Sequence, residues 1–195
     1  MKNFKIFDAV SCKEVVERAK LDYPVIANLS HKIISGLKGR EYFFYYACDD
    51  FEPLLTNRFM YFPLQRVRML GVQLFLNRAS GFLHWGFNFY NTQLSKATID
   101  PYVTTDAGGA FPSGDSFIVY AKKEEVNPSL RLFTMREAID DYYALKQIES
   151  LYGFAFCKEF LKKYGFEGYI VPTLSSGEFL QMRKEINGYL LTKKY

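Results

Sequence analysis

Histidine, tryptophan and cysteine are all scarce in this chain of 195 residues, which has 2 His, 1 Trp and 3 Cys. The cysteines, Cys12, Cys48 and Cys157, are odd in number and far apart. That spacing gives neither a zinc site nor a disulfide framework, and each is expected to be a small buried residue rather than a nucleophile. The two histidines are also far apart, so no metal is implied, and no cofactor is expected. A phosphate loop is missing as well: Gly36-Leu37-Lys38-Gly39 lacks the further glycine and the strand context, and no G-x-S-x-G elbow occurs. No apolar run reaches membrane-spanning length, and Lys5 and Asp8 interrupt any signal-peptide core. A soluble, cytoplasmic chain with no membrane partner is therefore expected. The net charge is only +4, with both signs interspersed, so no nucleic-acid patch is read. Repeats and low-complexity segments are absent too.

Aromatic residues, by contrast, are abundant. Phe 19 and Tyr 15 bring the aromatic share to 18%, within a composition that is 49% hydrophobic and 24% charged. This describes a globular domain with a real core. The ring excess fits a dense core or a site walled by rings, and such walls suit sugars, whose C–H faces pack on them while hydroxyls seek polar partners. The stretch Gly81-Phe82-Leu83-His84-Trp85-Gly86-Phe87-Asn88-Phe89-Tyr90 draws attention: an apolar strand runs into Trp, Asn and Tyr. A lone Trp is more often packing than function, and that reading of Trp85 stands beside the functional one.

Strand-type and helix-type segments alternate from the start. Phe4–Asp8 reads as a strand, and Ser11-Cys12-Lys13-Glu14 as a capping box opening a helix over Cys12–Lys20. Pro24–Asn28 is a second strand and Ser30–Leu37 a second helix. Glu41–Cys48 is a third strand, followed by Asp49-Asp50. Pro63 opens a helix in its first turn that runs to about Ala79. The Gly81 strand is the fourth. This β-α-β-α-β-α-β order predicts a parallel sheet covered by helices. Residues 89–127 are rich in turn chemistry, with only Ser116–Tyr120 strand-like; a loop of that length is usually functional or disordered. Helices are predicted over Ser129–Leu151, 154–164 and 178–191. Within the first of these, Arg131, Arg136, Asp140 and Asp141 are read as structural. Four βα units are half of an eight-unit barrel, and a strand beginning at residue 4 suggests a chain that starts partway through a larger fold. Residues 1–152 are assigned to the half-barrel and 153–195 to a helical extension, without a clear boundary.

Several stretches together resemble the C-terminal half of the catalytic domain of glycoside hydrolase family 123-like proteins, the group around bacterial β-N-acetylgalactosaminidases. They are Lys5–Ala9, Tyr42–Cys48, Asn57-Arg58-Phe59, Arg68-Met69-Leu70-Gly71, Gly81–Asn88, Asp100-Pro101-Tyr102, Gly114-Asp115 with Val119-Tyr120, Pro128–Leu132 and Met135–Tyr142. The resemblance implies a (β/α)8 TIM barrel, of which this chain would supply about strands five to eight, followed by C-terminal helices. It also implies retaining hydrolysis of 2-acetamido (GalNAc-type) glycosides, with the substrate's own acetamido group as nucleophile. In the family a neighbouring Asp–Glu pair at the end of the fourth strand orients that group and supplies the acid and base. No Asp-Glu dipeptide occurs in this chain, and Asp49-Asp50 follows the wrong strand for the role. No catalytic residue is therefore assigned here. The chain would then be a truncated gene product or half of a split enzyme; the expected partner is a separate chain carrying the N-terminal half-barrel, or a further copy of itself (a homo-oligomer), since a half-barrel exposes two sheet edges and an apolar interior. A non-catalytic carbohydrate-binding or structural remnant is the alternative.

Substrate-binding candidates are the groups offered at the C-terminal strand ends. Trp85 would stack under a pyranose ring and Asn88 would bond a hydroxyl. Tyr45 or Tyr46 would meet the acetamido oxygen or a hydroxyl, although strand alternation lets only one of them face the site. Asp8 is as readily a capping residue. His84 is read as a packed histidine pointing away from Trp85. Asp115 joins the set from a turn, where Asp is also common for local reasons.

Overall fold

The computed structural model describes residues 4–37, 39–48 and 54–192. Four short strands, β1 (Phe7–Val10), β2 (Tyr23–Ala27), β3 (Phe43–Tyr45) and β4 (Gly81–Leu83), form one sheet in chain order. All three pairings are parallel, with Phe7 opposite Tyr23, Val25 opposite Phe43, and Phe43 opposite Gly81. The alternating βα pattern thus gives the expected parallel sheet, and the molecule is a mixed α/β fold. The described residues do not close it into a barrel.

Several boundaries differ from expectation, each for a local reason. β1 starts three residues later than predicted and ends at Val10, not Asp8. Helix α1 (Lys13–Arg18) is capped by Cys12, with no side-chain cap bond, so the Ser11 capping box does not form; Glu14 instead accepts from Cys12 Sγ at 2.7 Å. Cys12 is exposed and Cys48 half-buried, leaving Cys157 as the buried cysteine. The second predicted helix is a 3-10 segment, Asn28–Gly36, kinked at Ser30. Pro63 caps its helix from outside, and the single predicted helix divides at Met69 into α2 (Leu64–Arg68) and α3 (Leu70–Leu76). A hairpin of β5 (Val119–Ala121) and β6 (Val126–Pro128) lies late in the long loop. Three helices complete the chain: α4 (Leu130–Tyr152), α5 (Phe154–Lys162) and α6 (Ser176–Leu191). Asp49-Asp50 lies outside the described residues.

Strand alternation sorts side chains onto two faces of the sheet. Val10, Ile26, Phe44 and Phe82 face one way, where they meet Val16 of α1, Ile33, Leu70 and Leu74 of α3, and Ala138 of α4. The opposite face carries Phe7, Tyr23, Phe43 and Leu83. The rings of Phe7 and Tyr23 stack at 4.5 Å, and Phe43 meets Phe7 edge-on at 5.4 Å. Gly81 is required beneath them, because a Cβ there would lie 2.6 Å from the Phe43 ring. This second face is open at its edges, where Phe7 is 51% exposed and Leu83 42%, while Val25 at its centre is buried. Parallel sheets are normally covered on both faces. Here, among the described residues, β1 and β4 each have one strand neighbour.

Helix α3 joins the sheet to the C-terminal helices. Every residue from Leu70 to Phe75 is buried; all but Gln73 are apolar, and Gln73 accepts from the Thr56 hydroxyl and donates to the Tyr169 carbonyl. Leu70 and Leu74 belong to the sheet-side core. Val72 and Phe75 belong to a second core with Leu145 and Ile148 of α4, Phe160 and Leu161 of α5, and Met182 and Ile186 of α6. The C-terminal helices therefore pack on elements of the βα region. Asp141, buried in α4, ties the layers: Arg68 of α2 donates to it at 2.7 Å, and Arg183 of α6 reaches its other oxygen. No helix among the described residues is long and apolar enough to cross a membrane.

The closest approach is at Gly71, where a Cβ would stand 1.8 Å from the Ala138 carbonyl oxygen. Gly71→Ala must push α3 and α4 apart through both cores. It is expected to cost about 3 kcal/mol, the upper range for overpacking. Urea unfolding reads this as a lower midpoint at constant slope; an unchanged midpoint would show the crossing to be looser.

Candidate functional site

The site is built where β4 ends. Trp85 follows the strand by two residues and lies on the parity of Leu83, the open face. After it, the chain turns to pair with the far end of the long loop: Phe89 N–H donates to the Ser116 carbonyl at 3.1 Å, and Ile118 N–H to the Phe87 carbonyl at 2.9 Å. Asn88 bridges Phe117 through its backbone and is itself exposed. Gly86 permits the pairing, since a Cβ there would meet the Ser116 and Asp115 carbonyl oxygens at 2.7 and 2.9 Å.

Two buried arginines hold this arrangement. Arg58 comes from a wholly buried run, Thr56–Phe59, anchored by Asn28 Nδ2 to the Thr56 carbonyl at 2.9 Å and by Asn57 Nδ2 to the Ala47 carbonyl at 3.1 Å. The Arg58 guanidinium donates to the carbonyls of Asp115, at 2.7 Å, and Gly86. Arg131, in the first turn of α4, donates to the carbonyls of Gly114 at 2.5 Å and of Arg58 and Phe117 at 3.1 Å each. Gly114 sits at φ +86, and a Cβ there would meet the Arg131 guanidinium. Burial lowers Arg58 to about 10, so it stays a cation at neutral pH.

Asp115 is 0% exposed and lies between two rings. Its Oδ2 accepts from Trp85 Nε1 at 3.0 Å, and its Oδ1 lies 3.3 Å from His84 Nε2, close but not aligned as a hydrogen bond. The Gly86 N–H donates to His84 Nδ1 at 3.0 Å, which places the neutral ring's proton on Nε2. Burial holds the His84 imidazole down at about 4, with Arg58 acting in the same direction and Asp115 opposing. Trp85 remains 43% exposed, with Phe89 and Phe111 meeting its ring edge-on at 5.3 and 5.2 Å.

The candidate residues are distributed unevenly. Trp85 and Asp115 are in direct contact. His84 is packed, as read from the sequence, but it does not turn away from its neighbour's partner: both rings meet Asp115. Tyr45 and Tyr46 divide between the sheet faces. Tyr45 is half-buried on the parity of Leu83. Tyr46 is fully buried against Phe82 and His84, and its hydroxyl has no hydrogen-bond partner among the described residues. Burial raises its pKa well above the usual phenol value. Asp8 is exposed within β1, opposite Pro24, rather than at the strand's C-terminal end. The late start of β1 is what displaces it. Sequence reasoning did not pick out Arg58 as part of this cluster and read Arg131 only as structural. The signal available for them was their place in the family-like stretches Asn57-Arg58-Phe59 and Pro128–Leu132. Among the described residues, no group of three or more His, Cys, Asp or Glu is placed to hold a metal.

Comparison with known proteins gives one family: a model described as glycoside hydrolase 123, catalytic domain, matches residues 1–148. The match spans β1 through most of α4, including every residue of the Arg58–Trp85–Asp115–Arg131 cluster. No curated protein matches the chain.

The depressed His84 predicts a pH dependence of stability. The unfolded histidine takes up its proton near pH 6.5, whereas the folded one resists until about pH 4. The unfolded state therefore binds more protons in that window, and stability falls as pH drops through it. By pH 4.5 the wild type should have lost about 2–3 kcal/mol more than a His84→Gln variant, relative to pH 7. Parallel pH series of urea unfolding, in which shared carboxylate effects cancel, measure the difference; coincident series would place His84 in a wetter environment.

Proposed function

The chain belongs to the glycoside hydrolase 123 catalytic-domain family, and on that premise we propose that it is the C-terminal half of a (β/α)8 barrel hydrolysing 2-acetamido sugars of the GalNAc type. The observation that carries the reading is Trp85: a partly exposed indole, fixed by a buried carboxylate, at the C-terminal end of a strand in a parallel sheet. Barrel enzymes build their sites at those strand ends. A flat aromatic face there suits the C–H face of a pyranose, with the exposed Asn88 available to a hydroxyl and Tyr45 at the end of the neighbouring strand.

The half-barrel reading draws its support from the sheet. Four parallel strands in chain order, helices on one face, and the Phe7–Tyr23–Phe43 rings on an open face are what half of a closed barrel would present. The occupant that fits the open face is a second set of four βα units whose strands would pair with both β1 and β4 and cover those rings. We assign the proton-transfer chemistry to that second set of units. In the proposed reaction the substrate's acetamido oxygen attacks the anomeric carbon as the glycosidic bond breaks, and water then restores the sugar with retention. An Asp would orient the acetamido group and an adjacent Glu would act as acid and then base; this chain has no Asp-Glu dipeptide. Residues 1–152 would form the half-barrel and 153–195 a helical extension buttressing it. The lack of the dipeptide also favours a second reading, a non-catalytic carbohydrate-binding or structural remnant that associates with its own copies.

One reconstitution separates the two. The chain is co-expressed with the four N-terminal βα units of a glycoside hydrolase 123 domain that carry the Asp–Glu pair, and the complex is assayed with an aryl N-acetyl-β-D-galactosaminide. Turnover is expected from the complex and not from either part alone. Trp85→Ala within it should lower kcat/KM by about tenfold or more, the value of one lost ring contact at roughly 1.4 kcal/mol per decade. A monodisperse complex without turnover would favour the remnant.

A further inference from the structure

We propose that Asp115 is the positioning residue of this site, holding the Trp85 indole in a single plane without touching the sugar itself. This rests on the reading of Trp85 as a sugar platform. It replaces the expectation that Asp115 contacts substrate: a side chain with no exposed surface offers a ligand nothing.

The geometry gives Asp115 control over the ring. An indole on a strand end is fixed along its strand by the backbone, but its χ angles remain free unless something grips the ring. Trp85 has one polar handle, Nε1–H, and that handle ends on Asp115 Oδ2 at 3.0 Å. Phe89 and Phe111 limit sliding at its edges without bonding it. The other carboxylate oxygen faces the Nε2–H of His84, whose tautomer is set by the Gly86 N–H. Asp115 thus contacts two adjacent residues, and a rotation of its carboxyl would disturb both.

The carboxylate is itself held from behind. Arg58 grips the Asp115 and Gly86 carbonyls, one on each side of the Trp85–Asp115 bond. Arg131 grips Gly114 and Phe117, which flank Asp115 in sequence. The two guanidiniums thereby fix the backbone on both sides of the Asp115 side chain. Polar groups collected behind one ring and out of contact with solvent are the arrangement of a supporting layer, which orients a contact residue rather than making the contact.

Because Trp85 is the only tryptophan, the full chain labelled with ¹⁵N-Trp gives one indole N–H resonance. In the wild type that resonance should be single and at least tenfold protected from exchange with water relative to a free indole. In Asp115→Asn it should move upfield, and its exchange should rise about tenfold, because a neutral amide oxygen is a weaker acceptor than a carboxylate. A wild-type indole that exchanges like the free ring overturns the proposal without any variant, so a folding failure of Asp115→Asn would not rescue it. N-acetyl-D-galactosamine is then added to both proteins. If it shifts the indole of the wild type with an affinity that Asp115→Asn weakens about tenfold, the platform and its positioning both stand. If the two proteins bind it equally, positioning falls and the sugar reading survives. If neither responds while the indole bond itself breaks in the variant, Asp115 holds the ring and the sugar reading falls.

Discussion

Two guanidinium groups buried behind the C-terminal ends of β3 and β4 set the shape of everything around them. Arg58 and Arg131 supply donors to five backbone carbonyls, those of Gly86, Asp115, Gly114, Arg58 and Phe117. In a loop with few regular pairings, those carbonyls would otherwise be buried without partners, at a cost of about 1–3 kcal/mol each. Arginine suits the task because its planar fork offers several donors in fixed directions and is weakly hydrated, whereas a lysine ammonium is a compact and strongly hydrated point charge. The clamp links three parts of the chain: the buried run after β3, the long loop after β4, and the first turn of α4. Asp115 sits within it, its backbone carbonyl held by Arg58 and its side chain turned to Trp85.

The coarse fold was legible because it depends on periodicity. Apolar strands alternating with helical segments gave the parallel sheet and its order, and the long helix after Pro128 appears within one residue of its predicted ends. Local boundaries were less legible where two signals compete. Ser11 and Glu14 match a capping box, yet strand pairing carries β1 on to Val10, and the helix begins one residue later with Cys12 as its cap. The helix after Pro63 was read as continuous because its apolar positions continue; it divides at Met69, where ψ is −12 and the backbone tightens.

The site was legible in one residue and obscure in its support. Trp85 is visible as the only Trp, at the end of an apolar run. The buried arginines are not visible in this way, because charged residues are by default surface residues and the bonds concerned join positions far apart, such as Arg131 and the Arg58 carbonyl. No periodicity encodes such a contact. Asp115 likewise resembles any turn aspartate until the loop closes over it. Asp8 erred in the opposite direction: its chemistry was plausible, and its place on the strand was not.

These observations bear on whether half of a barrel can carry half of a site. In a (β/α)8 enzyme the functional groups come from the ends of different strands, so binding and proton transfer need not share one segment. Division is physically reasonable only if each part fixes its own groups. Here the grip on Trp85 is internal to the chain: the carboxylate, both arginines, both flanking Phe rings and the loop pairing all come from residues 58–131. The sheet beneath is less complete: Phe7 and Leu83 are exposed on one face, and among the described residues β1 and β4 each have a single strand neighbour. On the proposed reading, association with a second half would therefore serve mainly to bury that face and bring carboxylates to a platform already formed. On that reading the surface that most needs a partner is the open face of the sheet, while the Trp85 ring is held from within the chain.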